Sequence, residues 1–368
     1  MVEVMARGFD AAALGVLPAA PDFVGALRRR ALEEFLALPI PSQDTEEWRY
    51  TDLSALDLAL RPYVEGQRVD ALESAPAAIR EALADLGPRA GLRVQHDSTT
   101  MLATLDPAVA AQGVVFDDLD RVATERPELV EPYLHALVPT GRSKFTALHG
   151  AFRTGGTFLH VPDGVRVELP LHALTFLDAD GAAVFPHTLV VAGRGSEVTL
   201  VDRFVSPDLS HALADAVVEL HLGDGAHVRH VALQEWGEGV THLGVQRARL
   251  GRDADLRTVS VGFGASLARA EAESILAEQG GFSEMLGVFF ADDRQHFDHR
   301  TEQDHVAPNC TSDLLYKGAL RDASRGVFSG WVHVRPGAQK TDAMQTSRNV
   351  ILSESAFARA IPNLEIEA

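Results

Sequence analysis

Lys317–Ile366 reads KGALRDASRGVFSGWVHVRPGAQKTDAMQTSRNVILSESAFARAIPNLEI, and its layout decides the fold. Short apolar pieces end at glycine-marked corners: Val327 and Phe328 before Gly330, then Trp331-Val332-His333-Val334 before Pro336-Gly337. That alternation suits short stacked strands separated by turns. Gln339-Lys340-Thr341-Asp342 then places polar and charged residues where one more buried strand would fall. Part of this face is therefore solvated or touches something. The four residues are the candidate partner interface, with internal turn-capping as the competing reading.

The same corner recurs upstream. Gly195-Ser-Glu-Val198-Thr-Leu200, Gly225-Ala-His-Val228-Arg-His230 and Asp253-Ala-Asp-Leu256-Arg-Thr258 lie 30 and then 28 residues apart. Gly281-Phe-Ser-Glu-Met285 and Gly337-Ala-Gln-Lys-Thr341 read as degraded copies. Within the units, apolar residues fall two apart, as a strand with one buried face requires. A repeat of this length, made of strands and corners, predicts stacked coils that bury one another's faces: a β-solenoid. A β-sandwich or jelly roll is the alternative. From about Phe145 onward the pattern holds no long helix.

The front of the chain is different. From Asp22 a helix carries Phe23, Leu27, Ala31 and Phe35 on one side and Arg28, Arg29, Arg30, Glu33 and Glu34 largely on others, until Pro39 and Pro41 end it. Glu46-Glu-Trp-Arg-Tyr-Thr-Asp-Leu53 sets two aromatics in a segment too polar for the core, pinning a loop to the body. Further helices are expected over Ala77–Leu86 and 127–138, with strands at Leu92–Gln95 and Val114–Phe116. The expected organisation is mostly β: an N-terminal helical or α+β region over 1–143, then a β-helix core over 144–368. The first 21 residues, which carry Glu3 and Asp10, read as a loosely ordered cytoplasmic N-terminus rather than a signal peptide.

Composition narrows the function. Lys and Arg number 33 against 52 Asp and Glu, a formal net charge of −19. Such an excess repels phosphate backbones and anionic lipid, so neither nucleic acid nor membrane is an expected partner. The single Cys310 permits no intrachain disulfide and suits a reducing, cytoplasmic setting. No apolar run approaches the length of a membrane span.

The densest set of potential ligands is Gln295–Cys310, with His296, His299, His305, Asp298, Glu302, Asp304 and the thiol of Cys310. It has no CxxC or HExxH frame, and residues three apart on a strand face opposite ways. A metal-dependent, cupin-like enzyme built on His296, His299 and His305 is the rival to a binding protein. His221, His227, His230 and His242 are scattered over several coils, and His221, His227 and their neighbours read as residues on solvated strand faces. Phosphate-binding glycine loops and the GxSxG nucleophile frame are absent, so no catalytic residue is assigned.

Lys144-Phe-Thr-Ala-Leu-His-Gly-Ala151 running into Gly155–Gly164, then His299–Ser312, then Gly326-Val-Phe-Ser-Gly330 through Ala338–Ala343 to Pro362–Ile366, resemble the SufB/SufD family of iron-sulfur cluster assembly proteins, in the family's order. Glu46–Leu53 resembles the N-terminal region of its SufD branch. The resemblance implies a right-handed parallel β-helix and a non-enzymatic scaffold. It implies pairing with a SufB-like protein and the ATP-using SufC-like ATPase; a bare solenoid end or edge itself invites pairing, so a homodimer is the expectation when those partners are absent. The iron-sulfur cluster is then built on the complex, with no cofactor held tightly and no metal ligand assigned in this chain. The family pattern continues past Ile366 into a segment bearing a cysteine and a histidine and a helical region that docks the ATPase. The sequence ends at Ala368, so no residue is assigned to either.

Overall fold

The computed structural model describes residues 8–367. It is 44% strand and 16% helix, and its body is a β-solenoid of about seven turns. The chain passes alternately between two sheets, laying down one strand in each per coil. The first sheet runs, in spatial order, Asp342–Ile351, Thr311–Leu320, Phe282–Ala291, Asp255–Gly262, His227–Glu235, Glu197–Val205, Leu171–Phe176, Gly91–His96 and Thr99–Leu105. The second runs Phe357–Ile366, Arg325–Val334, His296–His305, Leu267–Leu276, Val240–Leu250, Ala212–Leu222, His187–Ala192, Thr157–Val161 and Val115–Asp118. Every pairing between successive coils is parallel, and only the two pairings at the N-terminal end are antiparallel. Sandwiches and jelly rolls are antiparallel, so the parallel register decides for the solenoid.

The sequence repeat maps onto this register residue for residue. Val228 lies between Val198 and Leu256, one coil to either side. These side chains and Leu200, Leu220, Leu250 and Ala248 form a single buried cluster between the sheets. Each such aliphatic contributes roughly 1.5–3 kcal/mol by leaving water. The corners stack as well: Gly195, Gly225, Asp253, Gly280, Asn309 and Lys340 all have φ between +54° and +80°. Corner amides climb the column, from Gly195 N to Asp224 O, Gly225 N to Arg252 O, Asp253 N to Gln279 O and Asn309 N to Gln339 O. The repeat units expected at Gly281 and Gly337 are therefore corrected to Gly280 and Lys340, with Asn309 supplying a corner that glycine spacing does not mark. A left-handed residue costs about 1–2 kcal/mol with a side chain, least for Asn and Asp.

The N-terminal part packs outside the solenoid. Helix Asp22–Ala37 ends before Pro39 as expected. Arg28, however, points inward, donating to Pro18 O and Arg153 O at 3.0 Å each. The helix expected over Ala77–Leu86 stops at Ala82, and the one from Pro127 runs only to Val130 before turns carry the chain to Val138. Pro132 explains the second break, since it lacks an amide proton and clashes with the preceding turn. The expected strands appear as Gly91–His96 and Val115–Asp118, joined by an unforeseen Thr99–Leu105. Both sides of position 144 thus contribute strands to the two sheets.

Besides the four-residue helices Ala11–Leu14 and Pro107–Ala110, two longer ones, Leu119–Glu125 and Lys144–Phe152, were not foreseen. The second opens with a capping box between Ser143 and Thr146. The expectation of a loose N-terminus also changes: Phe9 is buried against Phe35, Phe152 and Phe185, and Ala13 lies in the same cluster. Residues 1–7 lie outside the described residues.

Candidate functional site

The last coil is built from the same columns as those beneath it, yet carries them into solvent. Ile351 lies over Leu320, Leu364 over Val332 and Ile366 over Val334. The lower members are buried, whereas Leu364 and Ile366 are 66% and 61% exposed. Met344, Val350 and Leu352 are exposed with them. Among the described residues, no strand pairs with the outer edges of Asp342–Ile351 and Phe357–Ile366. Two adjacent edges thus offer unpaired backbone groups beside an apolar rim, a template for adding strands.

The four sequence-predicted interface residues fall on this coil. Lys340 is the left-handed corner itself. Thr341 donates its hydroxyl to Ala338 O at 2.9 Å, Gln339 O accepts from Asn309 N, and Asp342 N donates to Cys310 O. Among the described residues, no hydrogen bond or ion pair engages the side chains of Gln339, Lys340 or Asp342. The backbone of the quartet closes the corner, while three of its side chains remain available. At the far end of the coil, His333 Nε2 lies 3.0 Å from Glu367 Oε1, with Glu365 beside them.

The Glu46–Leu53 segment crosses the solenoid wall and is fixed to it more deeply than a pinned loop requires. The Arg269 guanidinium lies over the Trp48 ring, 3.9 Å from its centroid, and donates to Glu47 O at 3.0 Å. Thr51 donates to Asp298 Oδ2 at 2.6 Å, and Arg269 also pairs with Asp298. Arg359, on the last coil, lies over the Tyr50 ring. This segment therefore connects the N-terminal layer to the coil with the open edges.

The histidines of Gln295–Cys310 do not form a metal centre. His296 lies near Thr51, His299 sits among Phe289, Phe297 and Tyr316, and His305 bonds to Ser312 Oγ at 2.8 Å. Their strand alternates sides and spreads the donors over three environments, so the cupin-like arrangement is not formed. Cys310 is buried with its thiol directed at Glu278 O, and burial pushes that thiol's pKa up. A protonated, enclosed sulfur is a poor ligand.

The scattered histidines differ in exposure, and two of them are buried. His230 is buried between Asp202 and Gln246, at 2.9 Å from each, and His242 accepts from the Trp236 indole at 3.2 Å. His221 is half-buried against Tyr133, whereas His227 is exposed.

Among the described residues, the fold is thus a two-sheet parallel solenoid whose last coil carries exposed apolar side chains beside unpaired strand edges. Residues 175–368 match the SUF system FeS cluster assembly SufBD core domain, and residues 94–173 match the SufBD protein N-terminal region. The chain belongs to the SufBD family of the SUF iron-sulfur cluster assembly system. An iron-sulfur cluster assembly SufBD family protein of Staphylococcus saprophyticus is 27% identical over 359 residues, covering 94% of this chain and 76% of the relative. A homologue of the same description from Staphylococcus haemolyticus is 26% identical over 356 residues, with the same coverage. One from Staphylococcus aureus strain USA300 is 25% identical over 356 residues, again at 94% and 76%. Among the described residues, no helix is long and apolar enough to cross a membrane.

Proposed function

We propose that this chain is a non-catalytic scaffold subunit of the SUF system, SufD-like, which docks through its last coil onto a SufB-like solenoid. A SufC-like ATPase completes the assembly and supplies ATP hydrolysis, while the cluster is built on the complex as its product. The observation that carries this reading is the continuation of the buried Leu320, Val332 and Val334 columns into the exposed Ile351, Leu364 and Ile366. A second solenoid edge would extend both sheets and cover those side chains. Support for the SufD-like branch comes from Glu46–Leu53, whose contacts reach the same coil. In isolation, a second copy of this chain fits the same edge, since edge pairing is satisfied by any complementary strand.

The test is co-purification from cells producing the chain with SufB-like and SufC-like proteins. Leu364→Asp with Ile366→Asp places charge on the exposed rim without touching the core, and should abolish capture of the SufB-like protein while circular dichroism stays unchanged. Reversing Lys340 and Asp342 together, Lys340→Glu with Asp342→Lys, should weaken capture more mildly. Undiminished capture by the rim variant would place the interface elsewhere.

A further inference from the structure

His135, His149 and His187 come from three places in the sequence and meet under the N-terminal layer. His135 stands in the turns after Pro127–Val130 with φ +56°, His149 is in helix Lys144–Phe152, and His187 begins strand His187–Ala192. All three are buried. One nitrogen of each ring is already committed. His149 Nδ1 lies 2.9 Å from Asp215 O and His135 Nδ1 lies 2.8 Å from Val138 O. Carbonyl oxygens only accept, so both Nδ1 atoms carry the proton.

His187 Nε2 lies 3.2 Å from Glu219 Oε2. That carboxylate also accepts the amides of His135, Leu137 and Val138, at 2.7, 2.6 and 2.9 Å. Three donated amides mark it as the ionised acceptor, so His187 carries its proton on Nε2.

A neutral imidazole has a single N–H. The remaining atoms, His135 Nε2, His149 Nε2 and His187 Nδ1, therefore all present lone pairs, and the three rings each bring a nitrogen within 4.8 Å of the others. His149 Nε2 and His187 Nδ1 are 3.1 Å apart, and His135 Nε2 has no hydrogen-bond partner. Facing lone pairs repel unless a cation lies between them; a proton shared by His149 and His187 would satisfy those two but leave His135 Nε2 unpartnered, whereas a metal ion would serve all three.

We propose that His135, His149 and His187 form a buried divalent transition-metal site that clamps the N-terminal layer onto the solenoid. Imidazole nitrogens about 2.0–2.1 Å from a tetrahedral zinc stand about 3.4 Å apart, close to the spacing between His149 and His187. Each ring's other nitrogen donates to a carbonyl or carboxylate, the supporting arrangement that fixes metal-bound histidines in orientation and tautomer. Glu219 supplies balancing negative charge. The three histidines are 14 and 38 residues apart, spacings that match no ligand motif, and none of them was a candidate in the sequence analysis, which assigned no metal ligand. The site stands independently of the docking edge.

The test is metal analysis of the full chain purified without chelator, followed by stripping and titration with zinc and with cobalt(II). The expected result is about one tightly held metal per chain and, with cobalt, visible d–d bands of a low-coordinate nitrogen site that zinc abolishes. His149→Gln and His187→Gln should each weaken zinc binding at least 100-fold, and Glu219→Gln by 10–100-fold as a supporting partner. His333→Ala, at the exposed His333–Glu367 group, should leave the stoichiometry unchanged. Should the histidine variants fail to fold, the cobalt spectrum of the unaltered chain decides by itself. A folded chain that takes up neither metal, or whose metal survives His149→Gln and His187→Gln, overturns the proposal. So does nitrogen NMR showing a proton shared between His149 and His187 in the presence of zinc.

Discussion

Replacing Asp298 by alanine tests how the N-terminal layer is tied to the solenoid. Asp298 is fully buried, accepts from Thr51 and pairs with Arg269, itself only 2% exposed. Removing one member of a buried ion pair strands the other and costs about 3–5 kcal/mol. Arg269 keeps Glu271 Oε1 at 2.7 Å, which puts the loss at the lower end, about 3 kcal/mol. Thr51→Ala removes a hydrogen bond to a charged acceptor and should cost about 1.5–3 kcal/mol. The two losses should not add, because both act through one carboxylate. Urea unfolding of the single and double variants measures this directly. Limited proteolysis between Glu46 and Thr51 should accelerate in both. If Asp298→Ala loses less than about 1 kcal/mol, or the losses sum, the carboxylate is not the joint and the argument from burial fails.

Two other predictions concern acid and the corners. Burial pushes the His242, His299 and His305 imidazoles down to about 4, so they are neutral in the fold but titrate normally once unfolded. Between pH 6.5 and 4 the unfolded chain binds the extra protons; stability should be full above pH 6.5 and fall steadily to pH 4, as followed by urea midpoints across that range. A flat profile would mean these rings become charged without unfolding. At the last corner, Lys340→Gly should be neutral or stabilising by up to about 1 kcal/mol, whereas Lys340→Val should destabilise by more than about 1 kcal/mol in thermal melts. Equal melting of the two would remove backbone strain as the reason for the corner's sequence preference.

The solenoid was legible because Gly195, Gly225 and Asp253 mark the same corner of successive coils, and the valines and leucines behind them repeat in register. Where Asn309 and Lys340 take the corner, glycine spacing loses the count, since their backbone conformation is imposed by the stack rather than by the residue. Helix Lys144–Phe152 escaped for a different reason. Every residue after Lys144 is buried, so it has no polar face and no amphipathic period to read. The quartet Gln339–Asp342 could be placed on an end coil from its polarity, but only the structure separates its corner-closing backbone from its free side chains. His135, His149 and His187 gave no signal at all, because their meeting depends on a helix and a turn that sequence pattern did not reveal.

The alternation of strands between two sheets has a mechanical consequence. Each coil is held to the body by the coil below and, where present, the coil above, through parallel ladders running along its length. Load applied at the last coil is borne by one pair of ladders at a time, so the structure peels turn by turn instead of rupturing as a unit. Parallel ladders sheared along their strands resist far better. The molecule is therefore strong to a partner that slides across its flat faces and weak to one that lifts its end, and whatever occupies the edges of Asp342–Ile351 and Phe357–Ile366 holds the place from which peeling would start.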